Sequence, residues 1–277
     1  MGEPGFIAVA LKWVDLRPEV DPLAGTVRHD GRTTGFSPAD AAALEWALRL
    51  GESWQLPVTA ITAGPSGARA VLRDAAAFGP RHLVLVTADR DAPSEAIAGA
   101  LAPSLGGAAV VCGGDHSADR GSGSVPAFLA HQLGAAQALG LTGLTPGERG
   151  RLVAQRRLDG GRRERLQLAA PAVISVEPGA ALLRRATLAG LRGARQAAVE
   201  VADGAVAQRT RVRVVRTTPY RPRPKTIPPP RDPRPRARLL ALTGALTERT
   251  PPRVVRASSE EAADELVGYL KEQGYLS

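Results

Sequence analysis

The chain has 277 residues, 44% of them hydrophobic and 23% charged, so it is long enough to bury a substantial core and a globular protein is the expectation. Its formal charge of +9 is unevenly spread, because residues 202–256 hold 14 basic and 3 acidic residues whereas the other 222 residues hold 22 and 24. The single cysteine excludes an internal disulfide and a thiolate metal site. No leader-like segment follows Met1 and no apolar run approaches the ~20 residues of a membrane span, so we expect a cytoplasmic chain without membrane insertion.

Short apolar runs alternate with alanine-rich amphipathic segments through the first half of the chain. The runs "FIAVAL", "PVTAIT", "HLVLVT" and "AAVVC" have the composition of buried strands, and "PADAAALEWALRLGE", "GARAVLRDAAAFG" and "PSEAIAGALAPSL" that of the helices between them. Ser37 followed by Pro38, with Asp40 in the first turn, indicates a helix start. This alternation predicts an α/β fold with a mostly parallel, doubly wound sheet.

The pattern changes after the first half. Asp159-Gly160-Gly161 separates two arms that alternate apolar and charged residues, which predicts a β-hairpin over 151–168. "PAVISVE" is a further buried strand candidate. The segment "ALLRRATLAGLRGARQ" carries leucines among arginines, and it is either an exposed helix or a loop with an apolar tip.

The last quarter of the chain has a different composition. From Thr217 to Arg238 the sequence is rich in proline and arginine, which predicts an extended arm. Ser258 and Glu261 form a capping-box pattern ahead of apolar residues at helical spacing, which predicts a short C-terminal amphipathic helix. We therefore expect an α/β domain over 1–201, followed by a basic arm and helix over 202–277. Because Tyr220 is the one aromatic residue of the basic segment, nucleic acid is not the expected partner.

The glycine-rich loop Gly113–Ser124 is the main candidate site. It follows a predicted strand and precedes a predicted helix, where ligands of parallel α/β sheets bind and where helix N-termini favour phosphate. Gly121 and Gly123 would allow a close approach to the backbone, and Ser122 would add a hydroxyl. The loop is neither a P-loop nor a dinucleotide fingerprint, so a phosphate site and a plain surface loop both remain open. No residue pattern indicates a metal site or a catalytic nucleophile.

Seven segments, taken in order, resemble the β subunit of electron transfer flavoproteins. They are "VALKWVD", "FSPADAAALEWALRL", "ITAGP", "SADRGSGSVPAFLAHQLG", "RRLDGGRRERLQLAAPAVISVEP", "RRATLAGLRGAR" and "LVGYLKEQGYL". The resemblance rests on their order and spacing and covers nearly the whole chain. The C-terminal ending also resembles actinobacterial β chains associated with mycofactocin redox systems.

This resemblance implies an electron-transfer subunit rather than an enzyme. It implies a domain of adenine-nucleotide hydrolase-like topology, a heterodimer with an α subunit that carries most of the FAD site, and a buried AMP. Electrons would pass from donor dehydrogenases to a quinone-linked acceptor. The positions that match the family's cofactor-binding residues are Ala10, Ser37, Pro38, Ala39, Asp40, Ala63, Asp119, Arg120, Gly121, Ser122, Gly123 and Ser124.

The loop departs from the family pattern at two positions. Ser122 stands where the family commonly has Thr and Ser124 where it has Gln, so a different nucleotide stays open and Arg120 becomes a candidate phosphate ligand. Ala39 replaces an aromatic residue that some relatives place near the flavin.

The segment 181–195 matches the family's recognition loop, which inserts a leucine into a partner dehydrogenase. Leu188 is the aligned leucine, and Arg184, Arg185 and Arg192 surround it, an arrangement suited to transient docking on an acidic surface. The alternative is a helix packed within the protein's own interface. Two other classes of protein also stay open, a stand-alone adenine-nucleotide sensor of the universal-stress type, which shares this topology, and a nucleic-acid binder acting through the basic arm.

Overall fold

The computed structural model describes residues 5–204, 215–216, 229–243 and 254–276. The chain divides into two units, residues 1–220 and 221–277. The boundary predicted between residues 201 and 202 falls inside the last strand of the sheet, Glu200–Ala202. The division into a nucleotide-binding domain and an arm stays a prediction.

The described residues form thirteen strands and seven α-helices. The strands are β1 Phe6–Ala10, β2 Val14–Asp15, β3 Glu19–Val20, β4 Val27–Arg28, β5 Thr34–Gly35, β6 Val58–Gly64, β7 His82–Thr87, β8 Ala108–Gly114, β9 Ala136–Pro146, β10 Arg151–Arg157, β11 Arg163–Ala169, β12 Ala172–Val176 and β13 Glu200–Ala202. The helices are α1 Pro38–Trp54, α2 Arg69–Ala76, α3 Ser94–Leu101, α4 Val125–Leu133, α5 Leu188–Ala194, α6 Pro235–Thr243 and α7 Ser259–Glu272.

Nine strands form the central sheet, in the order β11-β10-β9-β12-β8-β1-β6-β7-β13. Strand β10 is antiparallel to both β9 and β11, and the other pairs are parallel. The predicted α/β fold with a mostly parallel sheet is confirmed. The predicted hairpin is present as β10 and β11, whose turn uses two glycines with positive φ, Gly160 and Gly161.

Helices cover both faces of the sheet because its central strands are apolar on both sides. In β1, Ile7 and Val9 belong to the core on the face of α1 and α2. Ala8, between them, belongs to the second core, under α3 and α4. Successive side chains of a strand point to opposite faces of the sheet, so β1 contributes residues to the cores on both faces.

The segment 181–195 combines the two predicted alternatives. It runs without regular structure to Thr187, whose side chain accepts a hydrogen bond from the Gly190 N–H and caps the seven-residue helix α5. The leucines on this segment are therefore displayed partly by a loop and partly by a short helix.

The second unit contains α6 and α7. Helix α6 begins at Pro235, inside the segment predicted to be extended, because proline is well tolerated at the first helical position. Helix α7 has the predicted capping box between Ser258 and Glu261. Within the described ranges, we find no helix with the length and apolar character needed to cross a membrane.

Candidate functional site

The order of the strands creates a cleft at one edge of the sheet. From β1 the chain runs to β6 and β7 on one side, and then returns to place β8 on the other side of β1. Ligands of parallel α/β sheets bind at the carboxyl ends of the strands where the order reverses in this way. Here those ends are Ala10 of β1 and Gly113 of β8, which are paired in register.

The cleft has an apolar interior and a charged mouth. Small and apolar side chains of the sheet, α3 and α4 line the interior: Ala10, Ala63, Gly64, Ile97, Leu101 and Leu129. The polar and aromatic residues of the lining include Lys12, Trp13, Arg90, His116, Asp119 and Arg120. The arrangement suits a ligand with a flat apolar part and a polar, anionic end.

Seven of the twelve predicted cofactor-binding residues line this one cleft: Ala10, Asp40, Ala63, Asp119, Arg120, Ser122 and Gly123. The other five flank it within the described chain. Ser37, Pro38 and Ala39 begin α1 beside it, and Gly121 and Ser124 lie in the same loop as its lining residues. The structure thus brings together residues that are more than 100 positions apart in the sequence.

Glycine is required in the loop for steric reasons. A Cβ on Gly123 would lie 2.1 Å from the carbonyl oxygen of Asp115, and Gly121 has a φ of +65°. Within the loop, the Ser117 N–H donates to the carbonyl oxygen of Ser122 at 2.9 Å. The loop is therefore closely packed on itself beside the cleft.

The N-terminus of α4 is open toward the cleft. Val125 and Pro126, its first two residues, line the cleft, and Ser124 at the N-cap makes no side-chain capping hydrogen bond. The N–H groups of Val125 and Ala127 and the positive end of the helix dipole favour a negative charge at this position, while Pro126 has no N–H to donate.

Asp40 fixes the start of α1 against the cleft. It forms a capping box with Ser37, whose hydroxyl donates to Asp40 Oδ2 at 3.1 Å, and the Lys12 N–H donates to the same oxygen at 3.4 Å. Burial raises the pKa of Asp40 to about 6, against the opposing effect of these hydrogen bonds. The first turn of α1 is therefore joined to the end of β1 by a buried carboxyl group.

Lys12 and Asp119 form an ion pair in the lining of the cleft. Lys12 Nζ lies 2.6 Å from Asp119 Oδ1. Partial burial acts to raise the pKa of Asp119, but the hydrogen bond and the charge of Lys12 outweigh it, and the pKa is lowered. The carboxylate is therefore ionised at neutral pH.

Arg120 has a different environment from the one expected of a phosphate ligand. Its guanidinium donates to the carbonyl oxygens of Arg90 at 3.1 Å and Ala92 at 3.2 Å, and to the Asp91 carboxylate at 2.8 Å. These bonds join the glycine-rich loop to the loop after β7. Arg120 therefore holds the wall of the cleft together.

Sequence reasoning missed Lys12, Trp13, Arg90 and His116 as residues of the cleft. Lys12 and Trp13 follow β1 directly, so the rule that ligands bind beyond the carboxyl ends of strands could have identified them. Arg90 lies beyond β7, and its guanidinium sits 5.0 Å from the centre of the Trp13 ring, a contact that no sequence signal indicates.

One residue of the cleft lining has a polar atom without a hydrogen-bond partner in the described part of the chain. Trp13 Nε1 is buried and makes no hydrogen bond within the described part of the chain. The glycine-rich loop and the N-terminus of α4 fit an anionic ligand, whereas Trp13 Nε1 is too deeply buried to contact a ligand in the cleft. A search of the described residues for three His, Cys, Asp or Glu side chains placed to hold a metal gives no such group.

The predicted docking segment exposes its leucine. Leu188 is 66% exposed, Leu191 is also exposed, and Arg185 and Arg192 lie on the surface beside them. An exposed leucine with neighbouring cations is consistent with a transient contact surface.

Arg184, by contrast, is bound to α1. Its backbone N–H and Nε donate to Glu45 Oε2 at 3.1 and 3.0 Å, and its guanidinium also pairs with Glu52. The Trp46 indole N–H donates to the carbonyl oxygen of Ala180 at 3.2 Å. Arg184 therefore anchors the docking segment to the body of the protein, with its charge already balanced by two carboxylates.

The fold and the cleft define a class of protein, an α/β domain with a cleft at the switch point of a mostly parallel sheet. The electron transfer flavoprotein domain model matches residues 25–207. Protein FixA of Rhizobium meliloti is 31% identical over 204 residues, 68% of this chain and 69% of the relative. Protein FixA of Azorhizobium caulinodans is 30% identical over 202 residues, 68% and 72% of the two chains. Electron transfer flavoprotein subunit beta of Clostridium acetobutylicum is 40% identical over 83 residues, 29% and 32%.

The chain belongs to the electron transfer flavoprotein family, and it is a protein of the β-subunit type. Its role is accordingly in electron transfer. The family assignment made from the sequence is confirmed.

Proposed function

We propose that this chain is the β subunit of a heterodimeric electron transfer flavoprotein. The complex accepts electrons from donor dehydrogenases and passes them to a quinone-linked acceptor, through FAD that the α subunit mainly holds. The chain is cytoplasmic and makes or breaks no bond itself. The observation that carries the proposal is the cleft at the β1/β8 switch point in a chain of this family.

In this proposal the cleft holds AMP. Ala10 and Ala63 are small enough to leave room for a flat base at the strand ends, and apolar residues of α3 and α4 form the opposite wall. The loop from Asp119 to Ser124 and the open end of α4 supply backbone N–H groups for the phosphate. The nucleotide stabilises the subunit and undergoes no reaction.

FAD supplies the redox chemistry when it is bound between the subunits. At the start of α1 this chain has Ala39 in place of an aromatic ring, and because Ala39 is only 1% exposed it adds no contact surface for the flavin. The α subunit then makes most of the flavin contacts, and this chain contributes the rigid edge formed by the capped start of α1.

Docking of a donor dehydrogenase is assigned to Leu188. Its side chain is exposed, and Arg185 and Arg192 provide positive charge that accelerates encounter with an acidic surface. Arg184 contributes by holding the segment in place.

The test is to co-express the chain with its candidate α subunit, purify the complex and identify the nucleotides released on denaturation. A yellow heterodimer that releases FAD and AMP is expected. A colourless homodimer that carries ATP or no nucleotide would contradict the proposal and favour a stand-alone nucleotide sensor. The chain expressed alone is the control, and it is expected to be colourless.

A further inference from the structure

Three basic side chains line the cleft, and they differ in how fully they are engaged. Arg120 gives its guanidinium donors to the segment 90–92. Arg90 stacks over the Trp13 ring at 5.0 Å. Lys12 has one ionic partner among the described residues, Asp119, and an ammonium group has three donors. Lys12 is therefore the cation at the end of β1 that has donors left for a further anion.

The backbone N–H and the ammonium group of Lys12 are each held by an aspartate side chain. Its backbone N–H is directed to the buried Asp40 carboxyl, so the start of its side chain is held at the end of β1. Its ammonium reaches across to Asp119 of the glycine-rich loop, 107 positions later in the chain. The two side chains remain accessible, with 36% of Lys12 and 23% of Asp119 exposed.

We propose that Lys12 selects for a phosphate-bearing ligand and that Asp119 is the internal competitor for its ammonium group. The inference rests on the proposed function, in which the cleft holds an adenine nucleotide. A phosphate brings up to two negative charges and several acceptor oxygens to a group that otherwise meets one carboxylate. The phosphate therefore displaces Asp119 from Lys12, whereas a neutral nucleoside leaves the pair intact.

The competing explanation is that the Lys12–Asp119 pair only holds the loop closed. A loop latch would support the binding of every ligand of the cleft, charged or neutral. A charge selector acts on the phosphate alone. Adenosine and AMP differ only in the phosphate, so a comparison of their affinities distinguishes a loop latch from a charge selector.

The experiment uses the full chain freed of bound nucleotide and measures the Kd of adenosine and of AMP by calorimetry. Lys12→Gln is expected to weaken AMP binding by about 10- to 100-fold, because it removes one charge-assisted contact, and to leave the Kd of adenosine unchanged. Lys12→Arg, which keeps the charge, is expected to retain most of the affinity for AMP.

Asp119→Asn provides the opposite test. Removal of the competing carboxylate is expected to tighten AMP binding several-fold and to leave adenosine binding unchanged. Equal weakening of both ligands by Lys12→Gln and by Asp119→Asn would identify the pair as a latch and overturn the inference, while the proposed AMP site would stand. If the unmodified chain bound neither ligand, the AMP site and the inference would both be refuted.

Discussion

Asp40 shows how one side chain couples the site to stability. It caps α1 and contacts the end of β1, yet it does so from a buried position that disfavours its charge. With a folded-state pKa of about 6 against an ordinary value of 3.8, the folded chain holds a proton that the unfolded chain releases between these values. The stabilisation by the neutral form is complete below pH 3.8 and is lost as the pH rises through 6.

We therefore expect the free energy of unfolding to fall between pH 4 and pH 7 by about 3 kcal/mol relative to the Asp40→Asn variant. Asn has nearly the same shape and cannot titrate, so the difference between the two proteins isolates Asp40. Urea unfolding of the nucleotide-free chain across this range measures it. A difference that does not change with pH would exclude Asp40 as the titrating group.

Single residues were predictable where local chemistry determined them. Ser37 and Asp40 carry a capping pattern within four positions, and the loop glycines follow from their place between a strand and a helix. The contacts of Arg120 were not predictable, because they join it to residues 28 to 30 positions earlier in the chain. The same holds for Arg184, whose carboxylate partners lie more than 130 positions away.

At the scale of elements, the position of helix α5 depends on one close approach between backbones. A Cβ on Gly190 would lie 2.3 Å from the carbonyl oxygen of Ala77, at the end of α2, whereas a Cβ on Gly193 in the same helix meets nothing within 4 Å. Glycine at position 190 therefore sets the distance between α5 and α2.

This difference gives a matched pair of variants. Gly190→Ala is expected to displace α5 and to increase amide hydrogen exchange in residues 187–195 by at least an order of magnitude, whereas Gly193→Ala keeps the native contacts and gains about 1 kcal/mol of helix propensity. Hydrogen exchange followed by mass spectrometry compares both variants with the unmodified chain. Similar exchange in the two variants would show that the contact with Ala77 does not position the helix.

The strand β9 is the longest of the elements that the sequence did not predict. Its buried residues Ala138, Leu141 and Leu144 are spaced by three positions, so the two-residue alternation of a strand is missing. The cause is a register shift near Leu141 on both of its neighbours, together with the positive φ of Gly140. The regular strands β1, β6, β7 and β8, by contrast, were predictable because buried parallel strands form continuous apolar runs.

At the scale of the whole molecule, the buried residues of the described ranges all lie in the first unit. Both hydrophobic cores consist of residues up to Ala202. Neither α6 nor α7 has a buried residue. Because a stable fold requires buried apolar surface, the first unit carries the cooperative stability of the chain.

A chain of residues 1–220 is accordingly expected to unfold cooperatively within a few degrees of the full chain, whereas residues 221–277 alone give no cooperative transition. Circular dichroism during heating measures both. Loss of the cooperative transition in residues 1–220 would show that the second unit contributes to the stability of the first.

The three tryptophans of the chain stand in two different environments. Trp46 and Trp54 are buried on α1, with their indole N–H groups bonded to the carbonyl oxygens of Ala180 and Gly147. Trp13 lines the cleft under the Arg90 guanidinium and has no hydrogen-bond partner for its indole within the described residues. The emission of Trp46 and Trp54 is therefore expected to stay constant when a ligand binds, whereas Trp13 belongs to the lining of the cleft that the ligand enters. The molecule contains its own optical reporter, since a change in intrinsic emission on titration registers occupancy of the cleft without a label.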